Sequence, residues 1–325
     1  MSRAQIDLDL RPATTSDSRT VADLETARKP DDPADPAMLR FWWSTTPADE
    51  VYTRVIAVRE GYAVAYVMAR HRPWVDGAER FGSMRILLHP ELWSPDRYGG
   101  LVDLGETWLR GQRGSVAVIR LLATFADERR FIEARGYSEV RRGRRWELDL
   151  VANRAGLLAG ADVSRKRMQE QGVRVLKLDE DDDPDRLAKL YEMTIAAEQD
   201  IPTTVPAPVM PYDEWHHLWF DNPGIRTDRM WIAREGAAIV GLSALEYPPT
   251  HGCPWPALTA TARGVRGRGI ARALKYETVA QAIAFGAERI RTENDGENAP
   301  ILHVNADMGY GPIDPVLELH RTLAP

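Results

Sequence analysis

Residues 57–69, AVREGYAVAYVMA, and 232–244, IAREGAAIVGLSA, repeat one pattern 175 positions apart. Each reads as a strand, a tight turn at Glu-Gly and a second strand. Two further matches follow in the same order. FIEARGY (131–137) parallels HVNADMGY (303–310), with Gly136 and Gly309 at an offset of 173. DRYGGLV (96–102) parallels VRGRGIA (265–271), with Arg97 and Arg266 at an offset of 169. Three matches in one order at nearly one spacing predict an α/β unit used twice.

Each copy is expected to hold a mixed, mostly antiparallel central sheet flanked by helices. The first copy is expected over 1–150, ending in the strand RRWELDL. Residues 151–172 read as a linker with some helix, and the second copy is expected over 173–325. In that copy the helix that begins at Gly269 has an imperfect apolar stripe: Ile270, Leu274, Ala284 and Phe285 share a face with Glu277. Such a helix should be covered on two sides. The run DEDDDPD (179–185) lacks the glycine and terminal Glu of a calcium loop and reads as a solvated helix cap.

The stretch RGVRGRGIARALK (263–275) places five cations and no carboxylate in a chain of net charge −6. A helix start carries partial positive charge, so cations there are unfavourable unless an anion sits among them. Gly264, Gly267 and Gly269 let the backbone approach such an anion and aim N–H groups at it. Elsewhere the chemistry is sparse. A single cysteine, Cys253, excludes an intramolecular disulfide. His216-His217 and His251-Gly252-Cys253 match no tetrahedral zinc spacing, so no metal is expected. A pI near 5.7 argues against nucleic-acid partners. The first residues lack the apolar core of a signal peptide and no apolar run approaches membrane-spanning length. No membrane partner and a cytoplasmic location are therefore expected.

Arg266-Gly267-Arg268-Gly269-Ile270-Ala271 resembles the R/Q-x-x-G-x-G/A signature of the GNAT superfamily of acyl-CoA-dependent N-acyltransferases. LTATA before it and TENDGENAPILHVNADMGY after it are similar to the family's flanking strands and helix. The whole resembles a tandem GNAT protein. The resemblance implies acetyl-CoA as cofactor, with its pyrophosphate on the backbone amides between Gly267 and Ala271, and with Arg266, Arg268 or Arg272 meeting phosphates. It implies that Thr259, Ala260 and Thr261 pair with the pantetheine arm, and that Asn298 and Asn305 contact the cofactor. It also implies direct attack by a small amine substrate in a ternary complex, in a monomeric pseudo-dimer or a homodimer.

Many relatives carry a Tyr at the position of Asn305 as acid for the departing thiolate, a task an amide cannot perform. Tyr310 is a poor substitute by position, and a thiol of pKa near ~8.5 can leave without an acid. For the base, Glu246 comes first, at the end of a central strand; Glu198 and Asp200 come second and Glu293 third. Arg97-Tyr98-Gly99-Gly100-Leu101-Val102 departs from the signature and Ile132 stands at the Tyr position, so the first copy is expected to be degenerate. The alternatives are a non-catalytic acyl-CoA-binding or sensing protein and a tRNA-dependent aminoacyl transferase, the latter opposed by the intact loop and acidic pI.

Overall fold

The computed structural model describes residues 8–74, 79–200, 209–295 and 299–323. The chain divides into two compact units, one of residues 1–143 with 314–325 and one of residues 144–313. These bounds differ from the expected 1–150 and 173–325 because strand residues at the end of each copy pack in the other unit.

The first unit runs β1 (Asp9–Pro12), α1 (Ser18–Arg28), α2 (Pro36–Ser44), β2 (Val51–Arg59), β3 (Tyr62–His71), β4 (Phe81–Leu88), α3 (Pro95–Gly111), β5 (Val116–Leu122), α4 (Ala126–Ala134) and the start of β6 (Ser138–Asp149). Strands β1 to β4 pair antiparallel in chain order, and β4 lies parallel to β5 over Phe81–Met84 and Val116–Ile119. Beyond β5 the sheet continues with residues 316–322, which pair antiparallel from Val316–Leu122 to Thr322–Val116. Their Leu317 and Leu319 enter the same core as Leu101, Leu109 and Ile132.

The second unit takes in the end of β6 and continues with α5 (Arg154–Glu170), β7 (Arg174–Lys177), α6 (Arg186–Glu198), α7 (Tyr212–Phe220), β8 (Met230–Glu235), β9 (Ala238–Glu246), β10 (Trp255–Thr261), α8 (Ile270–Ala284), β11 (Arg289–Asp295), α9 (Ala299–Asp307) and the start of β12 (Gly311–Thr322). Strands β7, β8, β9 and β10 form an antiparallel sheet. Leu148 and Leu150, from the end of β6, share a core with Ile290 and Val279. The stretch expected as a linker is thus mostly the 17-residue helix α5, which packs on α8.

The repeat is visible in local geometry. Both hairpins turn on a glycine in the left-handed region, Gly61 (φ 83°) and Gly236 (φ 56°), and each is irregular just before the turn, at Ala57/Val58 and Ala233/Arg234. Helix α8 is covered on two sides, by α5 and by β9, and Phe285 beyond its end is 52% exposed. Gly241 of β9 permits the second contact, since a Cβ there would lie 2.8 Å from the Leu274 side chain. The acidic run is a solvated cap only in part: Asp185 is the N-cap of α6 and is exposed, like Asp179, Glu180 and Asp182. Asp181 and Asp183 both bind Arg234 at 2.7 Å, and Asp181 and Arg234 are buried. An ion pair fixed by two carboxylates ties the start of α6 to β8.

Candidate functional site

Between β10 and α8 the chain makes one short 3-10 turn, Arg263–Val265, and then passes through Gly267 (φ 78°) and Gly269 (φ 90°). Both sit in the left-handed region, where other residues are strained. Gly269 is the N-cap of α8 and has no side chain to satisfy the helix's first donors. Among the described residues, the amides of Gly267, Arg268, Gly269, Ile270 and Ala271 have no hydrogen-bond acceptor. Five donors therefore converge at the positive end of a 15-residue helix. This is the arrangement that binds phosphate.

The five cations of the segment separate by partner. Arg263 and Arg266 both hold Asp200, at 2.5 and 2.6 Å, and Arg266 Nε also donates to the Thr261 carbonyl at 3.3 Å. Arg268 pairs with Glu235 at 2.9 Å and Arg272 with Asp307. Among the described residues, Lys275 alone of the five meets no carboxylate. It is buried, donates to Asn305 Oδ1 and lies 4.7 Å over the Tyr310 ring.

Beyond the turn, β10 and β11 part. They belong to different sheets, and the contact between them includes one backbone bond, from Arg291 to the Pro254 carbonyl at 3.3 Å. Thr259, Ala260 and Thr261 pair on one side with Ser243, Leu242 and Gly241 of β9, and all three are half-buried. Thr259 is fixed further by its hydroxyl, 2.8 Å from that of Ser243. Asn305, on α9, is fully buried and donates to Asn294 Oδ1 on β11 at 2.7 Å. Asn298 lies outside the described residues.

The four candidate bases have different environments. Glu246 accepts from the Asn222 side chain at 2.9 Å, and Asn222 is itself buried and braced by the Gly224 amide at 2.8 Å. Glu198 ends α6, which packs on β9 and β10. It has no polar partner among the described residues, and burial pushes its carboxyl above the ordinary range. Asp200 is the reverse: hydrogen bonds from Arg263 and Arg266 hold it well below that range. A carboxylate so stabilised is a weak base, and the anion it supplies to two arginines is its evident role. Glu293 of β11 is half-buried and engaged.

Sequence reasoning overlooked Lys275, Asn294 and Asn222. Lys275 carried a usable signal, because it adjoins Leu274 on a helix expected to be covered on two sides. Asn222 and Asn294 carried none, since only tertiary structure brings them to Glu246 and Asn305.

The loop assignment in the first copy needs correction. Arg97 to Val102 are not a loop: they lie inside α3, which begins at Pro95 after a 3-10 turn at Pro90–Leu92. By order of elements, Pro95 corresponds to Ile270, and ELWSPD (91–96) stands where RGRGIA stands in the second unit. The shared arginine and glycines suggested a register about six residues off. Among the described residues, no cluster of His, Cys, Asp and Glu is placed to hold a metal ion, and no helix is long and apolar enough to cross a membrane.

Residues 187–310 match the Acetyltransferase (GNAT) family. The chain superposes on a solved tandem GNAT protein from the clavulanic acid biosynthesis pathway with a TM-score of 0.73 and 15% identity, covering 98% of this chain and 99% of that one. A GCN5-related N-acetyltransferase from Sphaerobacter thermophilus gives 0.68 and 19%, covering 98% and 96%. A fungal multi-domain beta-N-acetylglucosaminidase with a GCN5-related glucosamine N-acetyltransferase region gives 0.68 and 13%, covering 98% of this chain and 38% of that one. No curated protein sequence matches the chain.

Proposed function

Given a chain that is a tandem GNAT protein in fold, with the family's profile in its second unit, we propose that this unit moves an acetyl group from acetyl-CoA to the amine of a small molecule. The observation that carries the reading is the open turn at 267–271, five amides without acceptors at a helix start. The residues fit the cofactor. The amides of Gly267 to Ala271 would hold its pyrophosphate, Arg266 and Arg268 its outer charge, and the edges of Thr259, Ala260 and Thr261 its pantetheine arm, with Asn305 as a further contact. When bound, acetyl-CoA supplies a thioester for an amine to attack directly.

A primary amine is mostly protonated at neutral pH, so a base must remove a proton. Glu198 suits this task best, because burial raises its basicity and it has no competing partner among the described residues. Glu246, held by Asn222, is the second candidate. Asn305 donates no proton as an acid, so the sulfur leaves without one from position 305. The first unit is proposed to be non-catalytic, because its corresponding turn has no comparable set of free amides.

Release of free thiol from acetyl-CoA over a panel of amines tests the assignment. Amine-dependent release, with calorimetry giving one strong coenzyme A site per chain, is expected. Tight binding without release for any amine would instead favour the acyl-CoA-binding reading.

A further inference from the structure

Lys275 is a buried charge that the fold has no structural reason to keep. Four of the five cations in residues 263–275 are matched by carboxylates, whereas among the described residues Lys275 meets an amide oxygen and an aromatic ring and no carboxylate. It is 4% exposed, and its acceptor Asn305 is fully buried. An ammonium removed from water without a counter-charge is destabilising, whereas a methionine of similar length would fill the same space at no such cost. The first unit supports this view. By order of elements, Lys275 corresponds to Gly100 and Asn305 to Ile132, both buried and neither polar in its side chain. The same place in the fold is thus filled without a charge in the unit whose turn is closed.

The charges around Lys275 are matched among themselves. Arg272 of α8 pairs with Asp307 of α9, and His303 of α9 also lies 3.3 Å from Asp307. Glu277 of α8 pairs with Arg165 of α5 at 3.0 Å, and Glu293 of β11 is engaged. Tyr310 faces Lys275 as a ring, its phenol pushed up by burial. Burial pushes the Lys275 ammonium down, and an anion developing beside it would push it back up and hold the charge.

We propose that Lys275 is a positioning residue for acyl transfer: it grips the Asn305 carboxamide oxygen, aims the amide nitrogen at β11, and sets a buried positive charge behind the sulfur that leaves. The inference rests on the acyl-transfer reading above. In the balanced step the amine nitrogen bonds to the acyl carbon, the carbon–sulfur bond breaks, and sulfur departs with the electron pair. The amine's proton goes to the base. Lys275 gives up no proton; it would stabilise the developing thiolate electrostatically and through the second N–H of the Asn305 amide, the first being held by Asn294.

The test compares wild type with Lys275→Met and Asn305→Leu. The thiol of bound coenzyme A is titrated by its thiolate absorbance against a desulfo-coenzyme A blank. In wild type the bound thiol should titrate about one unit or more below its free value of ~8.5, and both variants should return it towards that value. Lys275→Met should melt no lower than wild type, and kcat should fall about tenfold or more while KM for acetyl-CoA changes by less than about threefold. An unchanged thiol titration in Lys275→Met overturns the inference and leaves the acyl-transfer reading standing. If that variant does not fold, an unchanged titration in Asn305→Leu overturns it equally. Failure of wild type to bind coenzyme A overturns the acyl-transfer reading and this inference together.

Discussion

The turns leading into α3 and α8 hold the same place in the order of elements, yet their backbones differ and their donors have opposite fates. At α3, Pro95 has no N–H, the Ser94 hydroxyl accepts from the Arg97 amide at 3.3 Å, and the Ser94 carbonyl accepts from Tyr98 at 2.9 Å. Glu91 and Asp96 add negative charge. At α8, Gly269 replaces the capping serine and Ile270 the proline, and the amides from Gly267 to Ala271 have no acceptor among the described residues, with arginines at 266, 268 and 272. The strands beyond the turns differ in the same direction: β4 and β5 form a parallel ladder, whereas β10 and β11 lie in separate sheets. A helix start becomes an anion site when its own sequence declines to cap it.

The buried charges of the two units draw the same contrast. Glu106 of α3 is 1% exposed and accepts from Tyr137, Arg321, Arg110 and Arg135 at 2.7–3.3 Å. Its charge is fully answered and serves cohesion. That of Lys275 is not.

The sharpest way to break the comparison is Gly269→Glu. It forces a side chain into a left-handed position and sets a carboxylate at the open amides. Calorimetry should record a loss of coenzyme A affinity of about a hundredfold or more, while Ser94→Gly in the first unit leaves the isotherm unchanged. A second strong site, or binding indifferent to Gly269→Glu, would erase the distinction between the turns.

Glu198→Gln should lower kcat at neutral pH by about a hundredfold. The deficit should shrink as pH rises and the amine loses its proton unaided. A flat ratio of variant to wild type from pH 6 to 9 would transfer the role to Glu246, tested next by the same profile.

Glu106→Ala should cost about 2 kcal/mol of folding stability, because it strands three half-buried arginines and the buried Tyr137 hydroxyl, and denaturant melts should report it. Burial alone would raise the Glu106 pKa, but Arg135 and Arg321 hold it below the ordinary value. A group depressed in the folded state stabilises above its unfolded pKa of ~4.3 and loses that contribution as pH falls through the folded value. The wild type should therefore lose stability in acid below about pH 4 more steeply than the variant.

The smallest effect is expected from Asp200→Asn. Removing the anion shared by Arg263 and Arg266 frees both for a ligand phosphate, so coenzyme A should bind about threefold tighter at low salt, with the gain vanishing at high salt. Weaker binding would mean that Asp200 organises the arginines for the ligand and does not compete with it.

The sequence carried the repeat because hairpins and helix ends are local. Glu-Gly turns and the Gly136/Gly309 helix ends declare themselves within a few residues. The open turn was legible for the same reason, since glycine and charge are both visible along the chain. Register in the first unit was not, because a chance likeness of Arg97 and its glycines to the signature outweighed the Pro95 helix start. The partners of the cations were illegible too: Asp200, Glu235 and Asp307 lie 33 to 66 positions from the arginines they bind, and only packing selects them.

The strand formed by residues 316–322 has a consequence for how the chain is made. Strand β5 is synthesised about two hundred residues before the segment that pairs with it along one edge. Until that segment leaves the ribosome, the first unit has an open edge and a core lacking Leu317 and Leu319. Closing it is a contact of very high sequence separation, which is slow to form. The N-terminal unit therefore cannot be finished first, although it is translated first. Its completion waits for the whole second unit, and a ribosome that stalls anywhere before residue 316 releases a sheet with one strand missing.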